Sequence, residues 1–522
     1  MRTIFILFDS LNRGALGCYG GDTPTPNFDR LAAKSTVFEN HYIGSMPCMP
    51  ARREIHTGRL NFLLRSWGPL EPFDDSFVVD LKSAGTYTHL VSDHSHYWED
   101  GGATYHNRYH SYEHVRGNED DHWIAEVNPD IEAYRAKYHE RQFGGARMDH
   151  RIRGFANEKR FKTDKDYPLH KCFDGALDFL ANNGHEDNWF LHLECFDPHE
   201  PFTAPPHFRD AFPTDYEGPV YTWPQYRLSS DDTKEEIAEV RANYAALVAF
   251  CDEQLGRLLD HLDDHDMWED TAVVLTTDHG FMLSEHDWWG KLRMPFFNEI
   301  ANIPLMVHDP TRPETWGTRN GCLTQTTDIS ATLLDFFGLG PCEDSLGRSI
   351  LPLLREEEDC IRDIAVYGVF GGAVNATDGE YTYFLYPDFM EEKPIFEYTL
   401  MPVHQTSMYE IRELVGAELH PGFDFTKGAP VLKVPALKDA KKPPMQGGGL
   451  AETNTCLYNL VDDPKQMQPF RNEVVEARLA AAIAAEMQRH DVAPEVYDRF
   501  GLHSLSQGSS DDSGKNMPSP EM

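Results

Sequence analysis

Short runs rich in apolar and β-branched residues, the first of them wholly apolar, lead into polar residues at several points along this chain. Residues 4–8 end in Asp9-Ser10, residues 86–91 lead into the polar stretch 92–98, residues 189–194 lead into 195–202, and residues 271–276 lead into Thr277-Asp278-His279-Gly280. Apolar runs of this length predict strands buried on both faces of a parallel sheet. Between the last two, residues 235–261 place Ile237, Val240, Tyr244, Leu247, Val248, Cys251, Leu255 and Leu258 at helical spacing. Residues 23–33 predict a packing helix started by proline, residues 303–308 a further strand, and residues 328–335 another helix. Strands alternating with helices predict a doubly wound α/β domain. Its ligands would gather at the carboxyl ends of the strands, where Asp9 stands.

The pattern changes after Asp363. Residues 365–370 and 381–386 are β-rich, Gly and Pro increase through 421–450, and residues 473–490 form an amphipathic helical stretch. Together they predict a smaller C-terminal α+β subdomain built on an antiparallel sheet. The expected division is 1–363 for the α/β domain, 364–503 for the subdomain, and 504–522 for a Ser-, Asp- and Pro-rich tail expected to be disordered. Residues 97–165 are rich in His, Tyr, Arg and Gly with little periodicity, and are expected to be an insertion that walls the pocket.

Charge and composition narrow the function. Across 522 residues, 85 acidic against 47 basic side chains give a net charge of −38. Nucleic acid, which requires clustered Lys and Arg, is therefore not an expected partner. An anionic substrate would need a local positive pocket. The nine cysteines are scattered, with no C-x-x-C pair, as expected of reduced thiols rather than a disulfide framework. The apolar N-terminal run is too short for a signal-peptide core, and no window approaches a membrane span, so a cytoplasmic protein without a membrane partner is expected.

The chemistry concentrates in residues 45–59. Cys48-Met49-Pro50-Ala51-Arg52 reads C-x-P-x-R, and Thr57-Gly58-Arg59 follows. This resembles the signature of the formylglycine-dependent sulfatases, members of the alkaline phosphatase superfamily. A second stretch, Asp278-His279-Gly280 with His286 and Lys291 downstream, resembles that family's second signature. Weaker likenesses stand in order. They are the segment 23–33, Pro198-His199-Glu200-Pro201-Phe202, and His94-Ser95-His96, where the family usually has Lys-x-His. Residues 347–354 resemble the segment that closes the family's catalytic domain, and Leu457-Tyr458-Asn459-Leu460 its late hairpin.

The resemblance implies an alkaline-phosphatase-like mixed sheet and a sulfate ester hydrolase. Cys48 would be converted by a formylglycine-generating enzyme, and the hydrated aldehyde would be the nucleophile. One hydroxyl of the hydrate attacks sulfur, and the other expels sulfate by re-forming the aldehyde. Asp9, Asp278, His279 and the Cys48-derived group would hold one divalent metal, which polarises the ester. Calcium is usual for the family, while a His ligand admits Mn²⁺ or Zn²⁺. Arg52 would hold the hydrate, Lys291 the ester oxygens, and His199 the leaving oxygen. His96 would take the proton as the aldehyde re-forms, and His94 would touch substrate alongside His199 and Lys291. Many sulfatases carry two acidic residues where this chain has Asp9-Ser10. That departure leans toward the related phosphonate monoester hydrolases, leaving phosphonate monoester or phosphodiester hydrolysis as the alternative. The expected substrate is a small anionic ester, a sulfated sugar by family weight. Trp288 and Trp289 are open to stacking on it or to lying in the core. Oligomeric state stays open, with an oligomer possible.

Overall fold

Strand β1 (Arg2–Phe8) is the axis of the fold. Its side chains alternate between two cores, as a strand's two-residue period requires. Ile4, Ile6 and Phe8 enter one cluster, while Phe5 and Leu7 enter the other. All five are fully buried, which explains the unbroken apolar run. A computed structural model describes residues 1–143, 148–292, 295–387, 394–436 and 454–502. The tail expected to be disordered, 504–522, lies outside the described residues.

The strands that follow are β2 (Thr36–Tyr42), β3 (Ser45–Met46), β4 (Tyr87–Ser92), β5 (Ser111–His114), β6 (Trp189–Cys195), β7 (Thr271–Thr277), β8 (Met282–Leu283), β9 (Trp289–Gly290), β10 (Leu305–His308) and β11 (Arg319–Gln325). Seven of them join β1 in one eight-stranded sheet in the order β11-β2-β10-β7-β1-β6-β4-β5. Strand β10 runs antiparallel to both neighbours, β2 and β7, and the other pairings in the sheet are parallel. The sheet is mixed, as expected. In the shared register of the central strands, Phe8 lies between Cys195 and Thr277. Asp9, Phe196 and Asp278 therefore leave the sheet at one level and on one edge.

Helices cover both faces. Pro26–Ala33, Pro168–Asn183 and Lys234–Asp264 bury apolar residues on the face of Ile4 and Phe8, and Phe77–Ser83 and Asp328–Phe336 on the other. Thr233 starts the longest of them, accepting from the Glu236 N–H while the Glu236 carboxylate returns to the Thr233 N–H.

The second sheet contains β12 (Ala365–Val369), β13 (Val374–Thr377) and β14 (Tyr381–Leu385); three more strands are β15 (Phe396–Thr399), β16 (Glu418–His420) and β17 (Val431–Pro435), and β18 (Cys456–Asn459) follows. The second sheet has the order β18-β14-β13-β12-β3. Its last strand, β3, comes from residues just before Cys48 and pairs in parallel with β12. The C-terminal sheet thus fixes the approach to the Cys48 segment. The amphipathic helix Glu473–Arg489 packs Leu479, Ile483 and Met487 against this sheet's Val366, Val374 and Leu457. A separate antiparallel sheet, β15-β17-β16, was not foreseen, because its strands are short and only partly buried. Among the described residues no helix is long and apolar enough to cross a membrane.

Candidate active site

The helix Cys48–Thr57 begins at Cys48, and at its first turn three strand ends converge on it. Asp9 follows β1, Asp278 and His279 follow β7, and Glu194 lies in β6. Cys48 Sγ sits 3.3 Å from His279 Nε2 and 3.9 Å from Asp9 Oδ1. The ligand-bearing atoms of Asp9, Cys48, Asp278 and His279 all lie within 4.8 Å of one another, and all four residues are buried. That spread fits four donors around a single cation.

The donor chemistry fits as well. Asp9 Oδ2 is buried without a hydrogen-bond partner among the described residues. His279 Nδ1 lies 3.0 Å from the Gly280 carbonyl oxygen. A proton on Nδ1 donated there leaves the Nε2 lone pair facing the cluster, the arrangement typical of a ligating histidine. Burial works against the charge on Asp9, but Lys291, Arg52, His199 and His279 outweigh it and hold the carboxyl well below its usual range. The residues on hand fit a divalent metal. Their mixture of carboxylate, imidazole and the position-48 group does not choose between Ca²⁺, Mn²⁺ and Zn²⁺.

Arg52, one turn into the helix, is the hub of the carboxylates. Its Nε donates to Glu194 Oε1 at 2.9 Å, and Nη1 donates to Asp278 Oδ2 and to the Cys48 carbonyl oxygen. Nη2 lies 3.0 Å from Asp9 Oδ2, outside hydrogen-bond geometry. Its guanidinium thus orders the acids of the cluster and the start of the helix at Cys48.

Ser10 has φ 61, a left-handed turn in which its N–H donates to Asp278 Oδ1 at 3.1 Å and its hydroxyl to Asp9 Oδ1 at 2.8 Å. Lys291 Nζ donates to Ser10 Oγ at 3.2 Å and lies 3.7 Å from Asp9 Oδ1. Burial opposes the ammonium charge, but the neighbouring carboxylates of Glu200 and Asp9 help push the Lys291 pKa well above its ordinary value. His199 is buried near the same lysine. Its Nδ1 lies within hydrogen-bond reach of the Glu200 carbonyl oxygen, and burial pulls its pKa down to about 4.

The two loop histidines after β4 part company. His94 is fully buried, with Nε2 3.7 Å from Asp9 Oδ2 and neither ring nitrogen hydrogen-bonded among the described residues. His96 turns instead to Glu99, 2.7 Å from its Nδ1, and lines a large adjoining cavity. Burial opposes its charge, but Glu99 lifts its pKa to about 9. Trp288 and Trp289 are fully buried in the core.

Sequence reasoning missed Glu194, Tyr97, Glu200 and Tyr226. Tyr97 donates to Glu194 Oε2 at 2.6 Å, and Tyr226 to Glu200 Oε1 at 2.5 Å. The one available signal was a charged residue, Glu194, near the end of a fully buried strand.

Comparison with known proteins decides the family. The sulfatase family model matches residues 2–339. The chain belongs to the sulfatase family. It is accordingly a hydrolase of the sulfuric ester class, within the alkaline phosphatase superfamily. Among its relatives is a choline-sulfatase of Rhizobium meliloti (strain 1021), 25% identical over 432 residues, covering 74% of this chain and 77% of the relative. The fold matches BT4656, solved with its substrate D-glucosamine-2-N,6-O-disulfate, at a TM-score of 0.63, 17% identity, and coverage of 95% and 99% of the two chains. It also matches the phosphonate monoester hydrolase of Agrobacterium radiobacter at a TM-score of 0.62, 18% identity, and coverage of 94% and 96%.

Proposed function

We propose that this sulfatase hydrolyses the sulfate ester of a carbohydrate, with formylglycine at position 48 as its nucleophile. The observation that carries the reading is the position of Cys48. It starts a helix, inside a four-donor cluster, with Arg52 and Lys291 close by. Burial and the negative charge of Asp9 push the Cys48 thiol well above its ordinary pKa. In the metal-free cluster an unconverted thiol therefore stays protonated and is a poor nucleophile. A hydrated aldehyde supplies hydroxyl groups instead.

A divalent cation held by Asp9, Asp278, His279 and the position-48 side chain would polarise the ester and favour ionisation of the hydrate. Arg52 holds the cluster's carboxylates and the backbone of residue 48 in place. Lys291 binds an oxygen of the sulfuryl group. His199, fixed through Nδ1 by the Glu200 carbonyl, presents Nε2 to the leaving oxygen. Burial keeps this ring neutral, and the charge of a bound anionic ester raises its affinity for the proton that the alcohol takes away. In the first step a hydrate oxygen bonds to sulfur as the bond from sulfur to the alcohol oxygen breaks. In the second, the remaining hydroxyl gives up its proton, the carbon–oxygen bond to sulfate breaks, and the aldehyde re-forms. Water then regenerates the hydrate. His94, close to Asp9 and without a hydrogen-bond partner among the described residues, is better placed than His96 to take the second proton.

A second reading, phosphonate monoester or phosphodiester hydrolysis at the same site, is favoured by Ser10 standing where a second acid is usual. Two measurements test the proposal. The mass of the tryptic peptide 35–52, from protein made with a formylglycine-generating enzyme, should show aldehyde in place of the thiol. The kcat/KM on sulfate esters should exceed that on phosphonate esters. An unmodified, fully active Cys48, or a Cys48→Ala variant that keeps activity, would sink the mechanism.

A further inference from the structure

A cavity of about 1030 Å³ adjoins the cluster, lined by Met46 and Pro47 just before Cys48, by His96, and by Leu292 just after Lys291. Its remaining walls come from Ser66 and Trp67, from the insertion after β4, and from the C-terminal segment that includes Gln405. Gln405 is fully buried, and its Nε2 donates to the His96 carbonyl oxygen at 2.6 Å. Since a carbonyl oxygen only accepts, that bond fixes which way the amide faces. The other amide atom, Oε1, is buried and has no hydrogen-bond partner among the described residues. From the other wall, Glu119 Oε2 is likewise buried and unpartnered. Burial and Asp120 push the Glu119 pKa up to about 8, so near neutral pH this carboxyl both accepts and donates.

A buried acceptor left without a donor is costly, so the occupant of the cavity is expected to supply one. Water can serve in the free enzyme, and a substrate group that reproduces the bond can replace it. We propose that Gln405 determines specificity: its Oε1 accepts a hydrogen bond from a hydroxyl or amino group on the alcohol half of the ester, with Glu119 as a second polar partner. The alcohol is then a polyol or amino polyol, not an aryl or simple alkyl group. This rests on the sulfatase reading above and adds to it the residue that recognises the sugar.

The test measures kcat/KM of the full-length, metal-loaded enzyme on 4-nitrophenyl sulfate, glucose 6-sulfate and glucosamine 6-sulfate. Wild type is compared with Gln405→Leu, Gln405→Met and Glu119→Gln. The two Gln405 variants are expected to lower the ratio of sugar-ester to nitrophenyl-ester kcat/KM by about tenfold, mostly through KM. A loss on both sugars assigns the donor as hydroxyl, and a loss confined to glucosamine 6-sulfate assigns it as amino. An unchanged ratio, or equal losses on all three esters, overturns the proposal, because Gln405 would then be inert or merely structural. So does a wild type that cleaves the nitrophenyl ester but neither sugar. A wild type inactive on every sulfate ester, with position 48 converted, overturns the sulfatase reading itself and this inference with it.

Discussion

Glu194 accepts the Nε–H of Arg52 at 2.9 Å, joining the end of β6 to the helix that starts at Cys48. The same guanidinium holds Asp278 and lies against Asp9. Acids from three strands thus share one buried cation. Removing one acid from such a group strands charge in the interior and costs about 3–5 kcal/mol. Glu194→Ala is expected to lose stability on that scale in denaturant unfolding and to lower kcat by more than tenfold. Glu194→Gln, which keeps an acceptor for Arg52, should lose less of both. Wild-type kcat in the Ala variant would show that Arg52 holds its place without Glu194.

His94 and His96 are expected to separate kinetically. His94 lies beside Asp9, whereas His96 pairs with Glu99 on the cavity wall. His94→Ala should weaken metal affinity roughly tenfold, a typical cost of losing a residue that supports a ligand, and lower kcat. His96→Ala should act mainly on KM for sugar esters. Metal titration by calorimetry, paired with steady-state kinetics, reads both. The opposite pattern would reverse the two assignments.

Chelation is expected to abolish turnover and to lower the melting temperature, because a metal that binds only the folded cluster stabilises it by mass action. Ser10 is expected to set the preference for the metal that restores activity. Asp is tolerated in the left-handed conformation of residue 10, so Ser10→Asp adds a hard oxygen beside Asp9 and should shift restoration toward Ca²⁺ over Mn²⁺. Equal restoration by both metals in both proteins would contradict this role for Ser10.

The pH dependence of stability should carry the mark of two structural histidines. Burial pulls both His41 and His56 down to about 3. Their rings stay neutral in the folded chain, while the unfolded chain takes up protons below about pH 6.5. Stability is therefore full above that pH and falls as pH drops toward 3, by about 1.4 kcal/mol per unit for each ring. Melting temperatures from pH 7 to pH 4 should show a shallower decline in His56→Gln than in wild type. Parallel curves would mean that His56 is charged in the folded protein.

The strands β1, β4, β6 and β7 were legible because their segments are rich in apolar and β-branched residues. Asp9 and Asp278 were legible because ligand-binding residues gather where such strands end. Cys48, Arg52, Asp278, His279 and Lys291 could be named from two motifs, and Asp9 from its place at the end of an apolar strand. The three-stranded sheet of β15, β16 and β17 was not legible, because short strands with mixed burial have no clear period.

The sequence by itself determined the alternation of strands and helices in the α/β part and pointed to the segment at Cys48 and to Asp9, Asp278 and His279 as candidates. Those depend on local spacing and on which residues can be buried. Only the tertiary structure decided that Glu194 anchors Arg52, that His94 rather than His96 faces the metal cluster, that Trp288 and Trp289 belong to the core, and that Gln405 meets the cavity from about 350 residues beyond Cys48. Those relationships join residues far apart in the chain, and their partners are chosen by packing and by the need to satisfy buried polar groups.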